Sequence, residues 1–223
     1  MKLVVLPDLH EGGIKYLPLL RDALATADWV LLPGDLTIRG STDAMEKVLA
    51  ALQEYNPNIL AVPGEWDTRH GSHILTQHHC NLHGQFVLLE GMAFIGLGGC
   101  LTYQNAPKEH LMYDNFQYEM LLQTITDQLP RRTPLLLMTH HPPHETHADR
   151  LYSGKRAGSR AIRDFVDQRQ PLLCLTGHLH HVQTIEHIGK TLILNPGPIW
   201  LYQTYGYVVI EYGSIVTAEI RPI

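Results

Sequence analysis

Charge is scarce in this 223-residue chain. Only 17% of residues are charged, and the 22 acidic ones outnumber the 17 basic ones. A formal charge of −5 leaves no basic excess of the kind that phosphate-backbone binders carry, so a nucleic-acid partner is not expected. No run reaches the ~18 apolar residues of a membrane span, and no membrane association is expected either. The start, Met1-Lys2-Leu3-Val4-Val5-Leu6, resembles a secretory leader, but Pro7 and Asp8 end its apolar run too early. It reads as a buried first strand. Cysteine is scarce as well: Cys80, Cys100 and Cys174 are far apart, odd in number and show no CxxC spacing. That usage fits a reduced, cytoplasmic setting. Composition breaks, linkers and internal repeats are also lacking, so residues 1–223 read as one domain.

Short apolar runs rich in Val, Ile and Leu are plentiful. They predict strands near 2–6, 29–32, 59–62, 86–90, 93–97, 135–139, 172–175, 191–194, 206–211 and 215–220. Helical spacing is read over 14–26, 42–55, 116–128 and 159–168. The chain therefore begins β-α-β-α-β, which predicts an α/β fold with buried, largely parallel strands. Two long polar loops, 101–115 and 142–158, have the character of lids or binding loops.

Five polar clusters follow apolar runs: Asp8-Leu9-His10, Gly34-Asp35, Gly64-Glu65-Trp66-Asp67, His140-His141 and Gly177-His178-Leu179-His180. Ligands of open α/β sheets bind beyond the carboxyl ends of the strands, so these clusters are expected to converge on one sheet edge. In an extended segment, residues two apart share a side, so Asp8/His10 and His178/His180 can each offer two ligands to one cavity. Imidazoles and carboxylates without thiolates suit Mn, Fe, Zn or Ni better than Ca or Mg. Seven candidates, Asp8, His10, Asp35, Glu65, His140, His178 and His180, are too many for one tetrahedral ion. They suit two divalent transition metal ions sharing a carboxylate. No organic cofactor site is read.

At these positions the chain resembles the calcineurin-like metallophosphoesterases. The matching pattern is Asp8-x-His10, Gly34-Asp35, Gly64-x-x-Asp67, Thr139-His140-x-Pro142 and Gly177-His178-x-His180. Ala61-Val62-Pro63-Gly64, Gly96-Leu97-Gly98-Gly99, Gly158-Ser159-x-Ala161-Ile162-Arg163 and Asn195-Pro196-Gly197 extend the likeness to the small prokaryotic Icc-related phosphoesterases. The resemblance implies a four-layer α/β/β/α sandwich of two mixed sheets with a dinuclear centre. It implies that Asp8, His10, Asp35 and His180 hold one metal, and that Asp35 bridges. Position 65, His140 and His178 would hold the other. The implied reaction is hydrolysis of a small phosphate mono- or diester by a hydroxide bridging the metals.

Two residues depart from the family pattern. Position 65 is normally Asn, and Glu65 adds a carboxylate and a methylene. With Asp8 and Asp35 already offsetting two of the four metal charges, Glu65 offsets a third. A less electrophilic centre and firmer metal retention follow if Glu65 reaches the metal; otherwise it swings away and that site is weak. Many relatives have His at position 66, where it serves as general acid or phosphate ligand. Trp66 carries no such proton and reads as a packed rim residue. His141 and His144 are then the candidates for the acid, with His141 alternatively a phosphate contact or a structural residue.

These departures keep a second reading open: a metal-poor protein-binding scaffold, as in the retromer subunit that shares the fold. The sequence also leaves homo-oligomer formation open. Other signals carry less. His78-His79-Cys80-Asn81-Leu82-His83 could form a separate zinc site but lacks a complementary cluster. Gly96-x-Gly98-Gly99 reads as a glycine turn beside the site, and Asp67-Thr68 as a helix cap. Arg156, Arg160 and Arg163 lie either toward an anionic substrate or on helix surface.

Overall fold

The computed structural model describes residues 1–223. Its first sheet is built from β1 (Lys2–Val5), β2 (Trp29–Pro33) and β3 (Ile59–Val62), which run parallel. β12 (Thr204–Glu211) and β13 (Ser214–Pro222) add antiparallel strands, giving the order β13-β12-β1-β2-β3. The second sheet has the order β10-β11-β9-β8-β5-β4. Its parallel centre is β5 (Met92–Leu97), β8 (Leu135–Thr139), β9 (Leu173–Leu175) and β11 (Thr191–Asn195). Its edges, β4 (Phe86–Leu89) and β10 (Thr184–Ile188), pair antiparallel. β6 (Cys100–Leu101) and β7 (Met112–Tyr113) form a small separate pair.

Strand alternation explains the layering, because successive side chains point to opposite faces. Leu3, Val5, Leu31, Leu60 and Val62 of the first sheet meet Phe94, Leu136, Met138, Leu173 and Leu194 of the second in one cluster between the sheets. The intervening residues Val4, Val30 and Leu32 pack outward against Leu24 of α1 (Arg21–Thr26) and Met45, Val48 and Leu49 of α2 (Thr42–Gln53). On the far side, Ile95, Leu137, Cys174 and Ile193 pack on Tyr118 and Leu122 of α4 (Asn115–Thr126) and Ile162 and Phe165 of α5 (Arg160–Arg169). This is the four-layer α/β/β/α sandwich implied by the resemblance. Phe94 is fully buried between the sheets, and truncating it to Ala would cost about 3–5 kcal/mol.

The caps follow from local sequence. Ser41 accepts a hydrogen bond from Ala44 N at 3.2 Å, and Ser159 accepts one from Ile162 N at 3.2 Å. Asp114 and Gln117 close a reciprocal capping box on α4. Other expectations are corrected. The helix read over 14–26 begins as a 3₁₀ segment, Glu11–Leu20, and becomes α-helical only at Arg21. Pro18 lies inside that segment and offers no N–H to an α-helical ladder. The helix α3 (Thr68–Gln77) and the edge strand β10 carry weak sequence signals: α3 is polar, and β10 exposes Ile185 while burying Thr184. The helix α6 (Ile199–Tyr202) follows the Asn195-Pro196-Gly197 turn, in which Asn195 accepts from Gly197 N at 2.9 Å. Part of the loop read over 101–115 is the strand β7.

Candidate metal centre

The five clusters do not gather at the edge of one sheet. Asp8, Asp35 and Glu65 leave β1, β2 and β3 of the first sheet, while His140 and His178 leave β8 and β9 of the second. They meet where the carboxyl ends of the two sheets face each other. Nor are the paired residues extended. Asp8, His10, Asp35 and His178 have φ of 49°, 44°, 50° and 73°, a left-handed backbone that costs about 1–3 kcal/mol each. Tight left-handed turns, not the alternation of a strand, aim these side chains inward. Two glycines make the approach possible: a Cβ on Gly34 would run into the His140 imidazole, and one on Gly64 into the Asp35 carboxylate.

Three groups of ligand atoms result, each within 4.8 Å: His10/Asp35/His180, Glu65/His140/His178 and Asp8/Asp35/His140. All seven expected metal ligands fall in these groups, and Asp35 belongs to two of them. His10 Nε2 and His180 Nε2 face each other at 3.4 Å. Glu65 Oε2 lies 2.7 Å from His140 Nε2 and 3.1 Å from His178 Nδ1. Asp8 accepts the His178 backbone N–H through both carboxylate oxygens, at 3.0 and 3.1 Å.

The donor set fits divalent metals on two observations. Asp35 Oδ1 accepts from Trp66 N at 3.0 Å, but Oδ2 is fully buried and has no hydrogen-bond partner. His140 Nε2 approaches it at 3.5 Å without closing a hydrogen bond, and a buried carboxylate oxygen so weakly satisfied is expensive unless a cation takes it. Backbone carbonyls also fix the imidazoles. Thr37 O accepts from His10 Nδ1 at 3.1 Å, and Pro33 O accepts from His140 Nδ1 at 2.9 Å. In the neutral ring this leaves the His10 Nε2 lone pair toward His180 and that of His140 toward Glu65 and Asp35, the tautomer a metal ligand needs.

The electrostatics reflect the crowding. Burial pushes the Asp35 carboxyl well above its usual range. His140 opposes the shift, and Glu65, Asp67 and Asp8 add to it. Burial acts upward on Glu65 too, but His178 and His140 together hold it below the carboxylate range. Burial disfavours charge on His140, yet Asp35 and Glu65 carry its pKa well above the usual value. Glu65 and Asp35 thus favour positive charge at His140, the same demand that a divalent ion would meet.

Residues around the centre hold the ligand loops. Asp67 is buried and accepts from Gly64 N at 2.8 Å, Leu36 N at 3.1 Å, Thr37 N at 2.8 Å and Thr37 Oγ1 at 2.9 Å. It ties the loop after β3 to the loop after β2, and its side chain makes no cap bond on α3, contrary to expectation. Trp200 of α6 carried no sequence signal. Its Nε1 donates to Asp8 O at 2.8 Å, and its ring meets His180 edge to face at 5.4 Å. His141 is 3% exposed. Its Nε2 donates to Ala157 O at 2.7 Å, its Nδ1 is buried without a partner, and its ring lies 4.7 Å from that of His178. His144 Nδ1 lies 3.3 Å from Asp149.

The weaker signals resolve into structure. His78 pairs with Glu46, the buried Cys80 thiol faces Leu75 O, and His83 accepts from Gly98 N, so the three do not share a site. Arg156 pairs with Asp149, and Arg163 donates to His144 O and Glu145 O, so both brace the 142–158 loop. Gly99 N donates to Pro63 O at 2.8 Å, making the glycine run a turn against the end of β3.

No helix is long and apolar enough to cross a membrane. A protein of Methanocaldococcus jannaschii described only as uncharacterized is 29% identical over 217 residues, covering 94% of this chain and 95% of its own. A solved structure from Thermus thermophilus aligns with a TM-score of 0.71 at 20% identity, over 99% of this chain and 98% of that one. The phosphopantetheinyl hydrolase of Mycobacterium tuberculosis aligns with a TM-score of 0.66 at 16% identity, covering 88% of each chain. At these identities the structural likeness speaks to the fold. The family profile described as metallophosphoesterase, calcineurin superfamily, matches residues 41–219. With that match over most of its length, the chain belongs to the calcineurin superfamily of metallophosphoesterases, a metal-dependent hydrolase family.

Proposed function

We propose that the protein hydrolyses a small phosphate mono- or diester at a dinuclear centre. The observation that carries this reading is the fully buried Asp35 Oδ2, without a hydrogen-bond partner and with only an ion-pair approach from His140 Nε2 at 3.5 Å, at the junction of two half-sites. His10, Asp8 and His180 would hold one divalent metal, Glu65, His140 and His178 the other, with Asp35 shared. Bound metals of this class, Mn, Fe, Zn or Ni, would supply Lewis acidity, lowering the pKa of a water nucleophile and offsetting phosphoryl charge.

The chain's own residues supply position. Thr37 O and Pro33 O set the tautomers of His10 and His140, and Asp67 fixes the loops that carry Asp35 and Glu65. In this reading His141 packs against His178 and exchanges no proton with substrate, because its Nε2 is engaged by Ala157 O and its Nδ1 is buried. A complete set of seven ligands favours the enzyme over the metal-poor scaffold.

The test is hydrolysis of mono- and bis-p-nitrophenyl phosphate with Mn or Ni added. Turnover that disappears in Asp35→Asn and His180→Ala is expected. No turnover across a panel of metals and esters would overturn the reading, and a metal content far below two equivalents would favour the scaffold.

A further inference from the structure

Beside the His10/His180 half-site opens a cleft of about 450 Å³, within the range of small-molecule sites. It is lined by Trp66, Trp200, Ile38, Gly12 and Lys15 together with the His10 and His180 imidazoles of the candidate ligand set, and the Lys15 ammonium lies 5.0 Å from the Tyr16 ring centroid. Trp66, 40% exposed with its ring 5.2 Å from that of His110, and Ile38, 47% exposed, put apolar surface beside an ionic centre. No carboxylate, amide or hydroxyl side chain lines the cleft. A sugar held there would find few side-chain acceptors for its hydroxyl protons, which is costly where water is displaced. Two indoles in the lining suit an aromatic ring, and the Lys15 ammonium, 5.0 Å from the Tyr16 ring, puts a positive charge near an anionic ester.

We propose that this two-indole cleft is a substrate subsite that takes a planar aromatic group carried by the phosphate ester. The inference rests on the phosphoesterase reading above and names the substrate class for that same centre. The ester group faces His10 and His180 while the ring lies along Trp66 and Trp200. Trp66 thus has a positive role at a position where a proton donor is absent: it selects the alcohol portion.

The experiment compares 2-phenylethyl phosphate with 2-cyclohexylethyl phosphate, or their methyl diesters. The paired alcohols match in size and in leaving-group chemistry and differ in aromaticity. A KM about tenfold lower for the phenyl ester is expected. Trp66→Leu should bring the ratio close to one, and Trp66→Phe should retain most of it. Equal KM values in the unaltered protein would overturn the proposal. A second measurement needs no turnover: 2-phenylethanol titrated into metal-free protein should shift the indole N–H resonances of Trp66 and Trp200. No shift of either would also overturn it. If no ester is hydrolysed at all, the hydrolase reading falls, and the alcohol titration still decides whether the cleft binds an aromatic group.

Discussion

Glu65 Oε2 lies 2.7 Å from His140 Nε2 and 3.1 Å from His178 Nδ1, so a side chain leaving the first sheet closes an ionic contact with two side chains leaving the second. The carboxylate reaches both imidazoles that would share a metal with it, and it does not swing away from them. A neutral side chain there should loosen that half-site and make the centre more electrophilic. Glu65→Asn is expected to lose metal more readily on dialysis and to move the acid limb of the rate profile to lower pH. Metal analysis and a pH–rate series check this; an unmoved limb would refute the charge argument.

Asp35 separates stability from activity. Its folded-state pKa is raised, so folding favours its protonated form, and its contribution to stability is lost as pH rises through the folded value. Asp35→Asn is expected to raise the melting temperature of metal-free protein at neutral pH. The same change should cost more activity than the about 10–100-fold typical of losing an outer hydrogen-bond partner. Calorimetric melting with and without Mn, beside turnover, distinguishes the two effects. Destabilised metal-free protein would count against the electrostatic account.

Trp200 should matter to metal binding. It holds Asp8 O and packs on His180, so Trp200→Leu should weaken Mn binding by about 10–100-fold in titration calorimetry. Trp200→Phe keeps part of the ring contact and should fall between. Unchanged affinity in both would reduce Trp200 to packing.

Asp67 predicts a stability loss. Four donors converge on its buried carboxylate, and Asp67→Ala leaves them without partners. A loss of at least about 3 kcal/mol in urea unfolding is expected. A change within about 0.5 kcal/mol would show that the two loops are held by other means.

Acid stability should depend on His83. Gly98 N donates to its Nδ1 at 2.8 Å, and Tyr113 Oη lies 2.9 Å from Nε2. Burial lowers its pKa to about 4. The unfolded chain therefore binds a proton between about pH 6.5 and 4 that the folded protein refuses, and stability falls as pH drops through that window. His83→Gln should flatten that part of the stability curve. An identical slope in the variant would assign the acid limb elsewhere.

The sequence by itself determined the local terms. Strand runs, the helical spacing over 42–55 and the ligand-type residues after each run depend on near neighbours, so they were legible. The α3 and β10 elements were not, because α3 is polar along most of its length and β10 is an edge strand with a weak alternation. The list of candidate ligands was legible too, but its geometry was not. Only the tertiary structure stacked two sheets so that their carboxyl ends face each other, bringing Glu65 to His140 across 75 positions of chain. It also decided that Asp67 ties two loops, that His141 Nε2 donates to Ala157 O, and that Trp200 reaches Asp8 across 192 positions. Such contacts arise from packing between layers, and no local pattern encodes which buried donors will meet which acceptors.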